Sequence, residues 1–298
     1  MLTNTLVVLA TDGTKMQALH YTEGKEKKRI IIHVHGMAGN FYENPFMELI
    51  ASNCKEVGID YMCFNNRGHD YIADCERVLT EESEFYNGGG AYENFTECIY
   101  DIEGAIRWAI LEGYTDIFLE GHSSGANKIV YSLDKLELSN DMMKKVKGLI
   151  LISPCDDIGV YQSEISRESR DASFKMARSF MDNGEGNALM PLGTFFDYLL
   201  SAKTFLECFE EDSPLDMFPY RRGSIKGTNV SKIEIPKLIL FGDNGDFVLQ
   251  EFDEIRDIYK QSAIQNYEIC VIENANHSYK GCEKKLADNI VKWIERTF

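Results

Sequence analysis

Several common features are missing from this sequence, and each absence narrows the possibilities. The eight cysteines, Cys54, Cys63, Cys75, Cys98, Cys155, Cys208, Cys270 and Cys282, form no CxxC pair and no short cluster. That argues against a zinc ribbon, a thioredoxin-type motif and a dense disulfide framework, and predicts reduced core thiols. No stretch approaches the ~20 apolar residues that span a bilayer. The first fifteen residues carry no basic region, and Leu6–Ala10 is too short an apolar run for a signal peptide. The expectation is a cytoplasmic protein with no membrane partner. Positive charge is also scarce, with 31 basic against 48 acidic residues and a net charge of −17. So acidic a surface repels phosphate backbones and predicts no nucleic-acid partner. No internal repeat or low-complexity tract is present. Gly88-Gly89-Gly90 lacks the helix start and the lysine of a phosphate cradle, and reads as a flexible loop.

What is present is ordinary globular material: 298 residues, 44% of them apolar and 27% charged. That is enough for a sizeable core. Thr5–Ala10 and Lys15–Tyr21 flank a Thr-Asp-Gly turn and predict a hairpin. Strands are expected at Arg29–Val34, Gly58–Asn65, Thr115–Leu119, Val146–Ile152, Ile235–Phe241 and Tyr267–Ile272. Helices are expected at Pro45–Glu56, Glu93–Glu112, Ala126–Leu133, Phe252–Ala263 and Glu283–Phe298. Most of these strands are apolar without alternation, so both their faces are buried. This predicts an α/β class with a mainly parallel central sheet flanked by helices. From Ser153 to Ile235 no strand is convincing, and helical patterns cover Ser163–Met181 and Leu192–Phe209. Residues 154–235 therefore read as a helical cap insertion, and residues 1–153 with 236–298 as the core domain.

The chemistry gathers at the strand ends. Gly121-His122-Ser123-Ser124-Gly125 fits G-x-S-x-G with a strand before it and a helix after it. Ser123 is the expected nucleophile, and the two glycines leave room for a sharp turn. A serine hydroxyl needs a neighbouring base. His277, in the loop after the last strand, is the only histidine beyond His122 and fills that role. The acid should leave the preceding strand, where both Asp243 and Asp246 could orient the imidazole. Asp246 is preferred because an apolar pair follows it, whereas Asp243 beside Gly242 suits a turn. Oxyanion donors are expected from the backbone N–H groups of Ser124 and Met37, the latter after the His35-Gly36 turn.

Other residues have plainer readings. His33-x-His35 could start a metal site, but Met37–Phe41 supplies no further ligand, so no metal and no cofactor are expected. His69 is expected to brace a turn, and His35 and His122 to line the pocket. Phe195 and Phe196 are pocket candidates among a run of aromatic and methionine residues whose buried side would roof the site.

His35-Gly36, Asn66-Arg67-Gly68-His69, the Ser123 motif, Asp246 and His277 together resemble the α/β-hydrolase superfamily, over nearly the whole chain. Leu119–Lys128 with Ser153-Pro154-Cys155-Asp156-Asp157 is similar, more narrowly, to uncharacterised hydrolases related to fungal siderophore esterases. A HGGG-type oxyanion loop and the long lid of lipases are absent. The resemblance implies the α/β-hydrolase fold and a serine hydrolase, an esterase by default, acting on a small-molecule ester, and the aromatic and methionine roof favours a small to medium, apolar acyl part. Thioester or amide cleavage and acyl transfer share the same machinery. A non-catalytic ligand-binding protein on this fold is the reading from another class. The sequence sets no oligomeric state.

Overall fold

The computed structural model describes residues 2–24, 28–80, 82–136, 140–210, 212–221 and 229–298. The chain begins with the expected hairpin, β1 (Leu2–Leu9) and β2 (Lys15–Thr22), paired antiparallel. The core strands follow as β3 (Arg29–Val34), β4 (Ile59–Phe64), β7 (Asp116–His122), β8 (Val146–Ile152), β9 (Lys237–Gly242) and β10 (Tyr267–Ile272). Together they make one eight-stranded sheet in the order β1-β2-β4-β3-β7-β8-β9-β10, parallel from β4 through β10. The buried apolar runs explain this. Arg29-Ile30-Ile31-Ile32-His33-Val34 is covered on both faces, as a central parallel strand must be.

One face of the sheet is covered by α2 (Cys98–Leu111), α3 (Ser124–Lys135) and α8 (Phe252–Gln261), with Ile102, Ile106, Ile129 and Ile255 in the shared core. The other face is covered by α1 (Phe46–Glu56) and α9 (Glu283–Thr297), through Phe46, Ile50, Leu286 and Ile290. A short α4 (Asn140–Met143) precedes β8.

A small antiparallel pair, β5 (Ala73–Val78) and β6 (Ser83–Gly88), stands outside the main sheet and has no counterpart in the sequence reading. Gly88 ends β6, and Gly89-Gly90 lead out of it as a buried, packed bend instead of an open loop. A Cβ on Gly90 would lie 2.9 Å from Ala38, and Gly89 has φ +86°.

Between β8 and β9 the chain forms α5 (Asp157–Glu164), α6 (Arg167–Asp182) and α7 (Ala202–Phe209). The helix expected over Ser163–Met181 is broken at Ile165-Ser166, where Ser166 Oγ accepts the Ser169 N–H and starts α6. Leu192–Phe209 is helical only from Ala202. Gly193 and Phe196, both with positive φ, pair in an isolated bridge before it. Tyr161, Ala177, Phe195, Phe205 and Phe209 form a separate apolar cluster. This segment rests on residues 91–97, with Ser201 N–H on the Ala91 carbonyl and Glu207 accepting the N–H groups of Phe95 and Thr96. Further along, Met217, Phe218, Tyr220, Val230 and Ile233 join the main core.

Candidate active site

The site lies where β3, β7, β8 and β9 end. Ser123 sits between β7 and α3 with φ +58° and ψ −136°, a conformation disfavoured for any side chain bearing a Cβ. The strain is sustained by close packing around it. A Cβ on Gly121 would stand 2.6 Å from the Ala126 nitrogen, and one on Gly125 only 2.1 Å from the Val34 carbonyl oxygen. Gly36 is just as tight, since a Cβ there would meet the Ser123 Cβ at 2.9 Å. The three glycines therefore allow the serine turn to press against the end of β3.

Asp246 and His277 come together from two loops. His277 Nδ1–H donates to Asp246 Oδ1 at 2.7 Å. Oδ2 of the same carboxylate accepts the Gly242 N–H at 2.8 Å and the Ser153 hydroxyl at 2.9 Å. Ser153 in turn pairs with the Tyr279 hydroxyl at 2.8 Å. Gly242 makes this convergence possible, because a Cβ there would strike the Ala275 carbonyl at 2.4 Å. Asp243 faces the other way, and its Oδ1 takes the Asn274 N–H at 2.6 Å. It braces the histidine loop and does not touch the imidazole.

The Ser123 hydroxyl is paired with the Cys155 sulfur at 3.1 Å, and no hydrogen bond joins it to His277. The Cys155 thiol donates to the Ser153 carbonyl at 3.5 Å, so the serine O–H is the donor to sulfur. Burial pushes this thiol well above its ordinary pKa, and the charge of Asp157 adds to the effect. Asn127 fixes the Cys155 backbone at both its carbonyl and its N–H.

Met37 N–H points at the Ser124 hydroxyl, 2.7 Å away. Ser124 N–H, at the start of α3, has no intrahelical acceptor. The Ser124 side chain thus occupies the Met37 amide, while the Ser124 amide directly follows Ser123.

The remaining candidates divide. Burial depresses the His122 pKa well below its usual range, so the ring is neutral, and its Nε2–H donates to the His277 carbonyl at 2.8 Å. It sets the backbone of the histidine loop. His35 is likewise held neutral by burial. It donates Nδ1–H to the Gly36 carbonyl and accepts the Asn66 N–H on Nε2. With both nitrogens used and 1% exposure, it shapes the loop and presents nothing to a ligand. His69 pairs with Asp70 at 2.8 Å, and His33 lies beneath the sheet against Glu120 at 2.7 Å. Phe195 is buried in the helical segment, 4.6 Å from the Phe209 ring. Phe196 reaches the site through Phe247, whose ring is 4.8 Å from His277.

Sequence reasoning gave no role to Ser153, Tyr279, Cys155 or Asp157, and used Phe247 only as half of the apolar pair after Asp246. Four of these residues are uncharged or weakly ionisable and follow strands or loops without a motif of their own. Only the Ser-Pro-Cys-Asp-Asp run after β8 carried a signal. Among the described residues no group of three His, Cys, Asp or Glu side chains could hold a metal ion, and no helix is long and apolar enough to cross a membrane. The eight cysteines are unpaired. A surface hollow at Lys28, Gly58, Asp116 and Phe298 lies at the opposite end of the strands.

The family described as "Protein of unknown function (DUF1749)" matches residues 93–297. No curated protein matches the chain. Among solved structures it is similar to Est1E of Butyrivibrio proteoclasticus with bound ferulic acid, at 17% identity over 98% of both chains and a TM-score of 0.64. It is also similar to the siderophore hydrolase EstB of Aspergillus fumigatus, at 12% identity, covering 99% of this chain and 98% of that one, TM-score 0.68. The esterase Pf2001 of Pyrococcus furiosus matches at 14% identity, covering 100% and 92%, TM-score 0.61. The architecture is that of an α/β-hydrolase, a mostly parallel sheet flanked by helices.

Proposed function

We propose that this chain, which belongs to the family described as "Protein of unknown function (DUF1749)", is a serine hydrolase that cleaves a carboxylic ester with an apolar acyl part. The observation that carries the reading is the Asp246–His277 contact at 2.7 Å, built over the same strand ends as the strained Ser123 turn. Ser123 leaves the Cys155 sulfur by rotating about χ1 and gives its proton to His277 Nε2 as Oγ attacks the acyl carbon. Asp246, charged and held by Gly242 and Ser153, stabilises the imidazolium and fixes its tautomer. The oxyanion takes the place of the Ser124 hydroxyl at the Met37 amide and also accepts the Ser124 N–H. His277 returns its proton to the departing alkoxide, leaving an acyl-enzyme. Water then adds with His277 as base, and the acid and free Ser123 are regenerated.

The similarity to esterase structures supports the same reaction class. The aromatic lining at Phe196 and Phe247 supports an apolar acyl group. We assign helices α5–α7 the role of a cap over the site. The test is hydrolysis of p-nitrophenyl esters of increasing chain length by the wild type and by Ser123→Ala. Turnover that favours longer or aromatic acyl groups and vanishes in the variant supports the reading. Turnover of acetate alone counts against the apolar wall, and turnover that survives in Ser123→Ala counts against the nucleophile.

One observation favours a second reading. Ser123 is paired with Cys155 and not with the imidazole, as in a binding protein with little turnover. Absence of hydrolysis across the ester panel by folded protein would select it.

A further inference from the structure

One carboxylate beside the proposed nucleophile lacks a partner. Asp157 opens α5 and is 8% exposed. Its neighbour Asp156 is accounted for, because Asp156 Oδ1 accepts the Gly159 N–H at 3.0 Å and caps the helix. Asp157 makes no hydrogen bond and no ion pair among the described residues. Its charge acts on the His277 imidazole, the Cys155 thiol and the Tyr198 phenol. Cys155, two residues before it, touches the Ser123 hydroxyl at 3.1 Å. The backbone holds Asp157 there, since Asp156 N–H donates to the Phe247 carbonyl at 2.8 Å and the Phe247 ring lies against His277. The Tyr198 ring is 6.0 Å from Tyr71, and the Tyr198 hydroxyl makes no hydrogen bond among the described residues.

A buried carboxylate normally collects an arginine or several N–H donors. The N-terminus of α5 favours an anion only weakly. Support of the imidazolium is already supplied by Asp246 at 2.7 Å. Burial raises the Asp157 carboxyl to about 6, with His277 opposing the rise. The group is therefore an anion at neutral pH, held against the cost of desolvation. A buried charge that weakens the fold and has no protein partner is characteristic of a ligand site. A hydroxyl would meet one lone pair and leave the charge, whereas a cation meets both. The rings of Tyr198 and Tyr71 suit a cation, and the net charge of −17 draws one in.

Resting on the serine-hydrolase reading, we infer that Asp157 determines specificity by binding a protonated amine carried on the acyl part of the substrate. The apolar remainder of that acyl group lies along Phe196 and Phe247. The substrate class is thus an amphipathic ester with an ammonium group.

The test compares 2-naphthyl 6-aminohexanoate with 2-naphthyl heptanoate, which differ by an ammonium in place of a methyl. The wild type is expected to favour the amine. In Asp157→Asn the amine-to-neutral ratio of kcat/KM falls about tenfold or more, mostly through KM, as loss of a charge-assisted contact implies. A ratio unchanged within about twofold overturns the proposal. A second arm needs no turnover: calorimetry of n-hexylammonium with Ser123→Ala, and with Ser123→Ala combined with Asp157→Asn. Saturable heat in the first and none in the second is expected. No heat in either, or equal heat in both, overturns the ammonium site. Failure of both esters alongside a positive calorimetric result would refute the hydrolase reading and leave the site standing.

Discussion

Asp246 binds His277 with one oxygen and anchors itself with the other. Oδ1 receives the imidazole Nδ1–H at 2.7 Å, while Oδ2 is tied to Gly242 N–H and the Ser153 hydroxyl. An asparagine can offer only one carbonyl oxygen to these donors, and its NH₂ turned toward the ring selects the wrong tautomer. Asp246→Asn is expected to lower kcat on an aryl ester by on the order of 10³–10⁴. Asp243→Asn loosens only the Asn274 amide and is expected to keep kcat within about tenfold. Steady-state kinetics on the two variants decide the matter, and a larger loss in Asp243→Asn would reverse the assignment.

Cys155 lies next to the proposed nucleophile yet is expected to be inert. Burial holds its thiol far above neutral pH, so the thiolate that alkylating agents need is scarce. Iodoacetamide at pH 7.5 should leave esterase activity intact. Inactivation that tracks labelling of Cys155, read by mass spectrometry, would contradict this.

Asp157 links stability to pH. Its folded pKa of about 6 is above its unfolded value, so the native state binds the proton more tightly. Stability from this group therefore falls as pH rises from the unfolded value through about 6. Above that pH a shift of about two units costs on the order of 2–3 kcal/mol. Asp157→Asn removes the charge and is expected to raise the melting temperature at pH 8, the gain shrinking toward pH 4.5. Thermal denaturation at the two pH values checks it, and a gain of equal size at both would contradict the burial argument.

Gly125 has no room for a methyl group, because the atom it would meet, the Val34 carbonyl oxygen at 2.1 Å, belongs to the backbone. Gly125→Ala must separate α3 from the end of β3. It is expected to destabilise the fold by about 3 kcal/mol, measured as a shift in urea midpoint. A change under about 0.5 kcal/mol would mean that the turn is looser than its packing indicates.

How far the sequence revealed the molecule depended on how local each signal was. The parallel core was legible because strands such as Val146–Ile152 and Tyr267–Ile272 are short apolar runs bounded by turns, and both have those bounds in the structure. The serine turn was legible because its glycines act within two residues of Ser123. The pair β5 and β6 was not, because its many polar and charged residues, among them Glu76, Arg77 and Glu84, give no apolar alternation and gain their order from pairing with each other. Phe195 and Leu199 matched a helical spacing, but Gly193 and Phe196 take positive φ and delay the helix to Ala202. The Ser153–Asp246 and Asp156–Phe247 contacts join residues some ninety positions apart, which no local pattern encodes.

The central claim is that Ser123 is a nucleophile activated by His277. The most direct measurement is tryptic mass spectrometry of the protein after exposure to a fluorophosphonate. The account predicts one adduct, on Ser123, formed readily by the wild type and only slowly by His277→Ala. Folded wild type that stays unmodified, or an adduct on another residue, would contradict it.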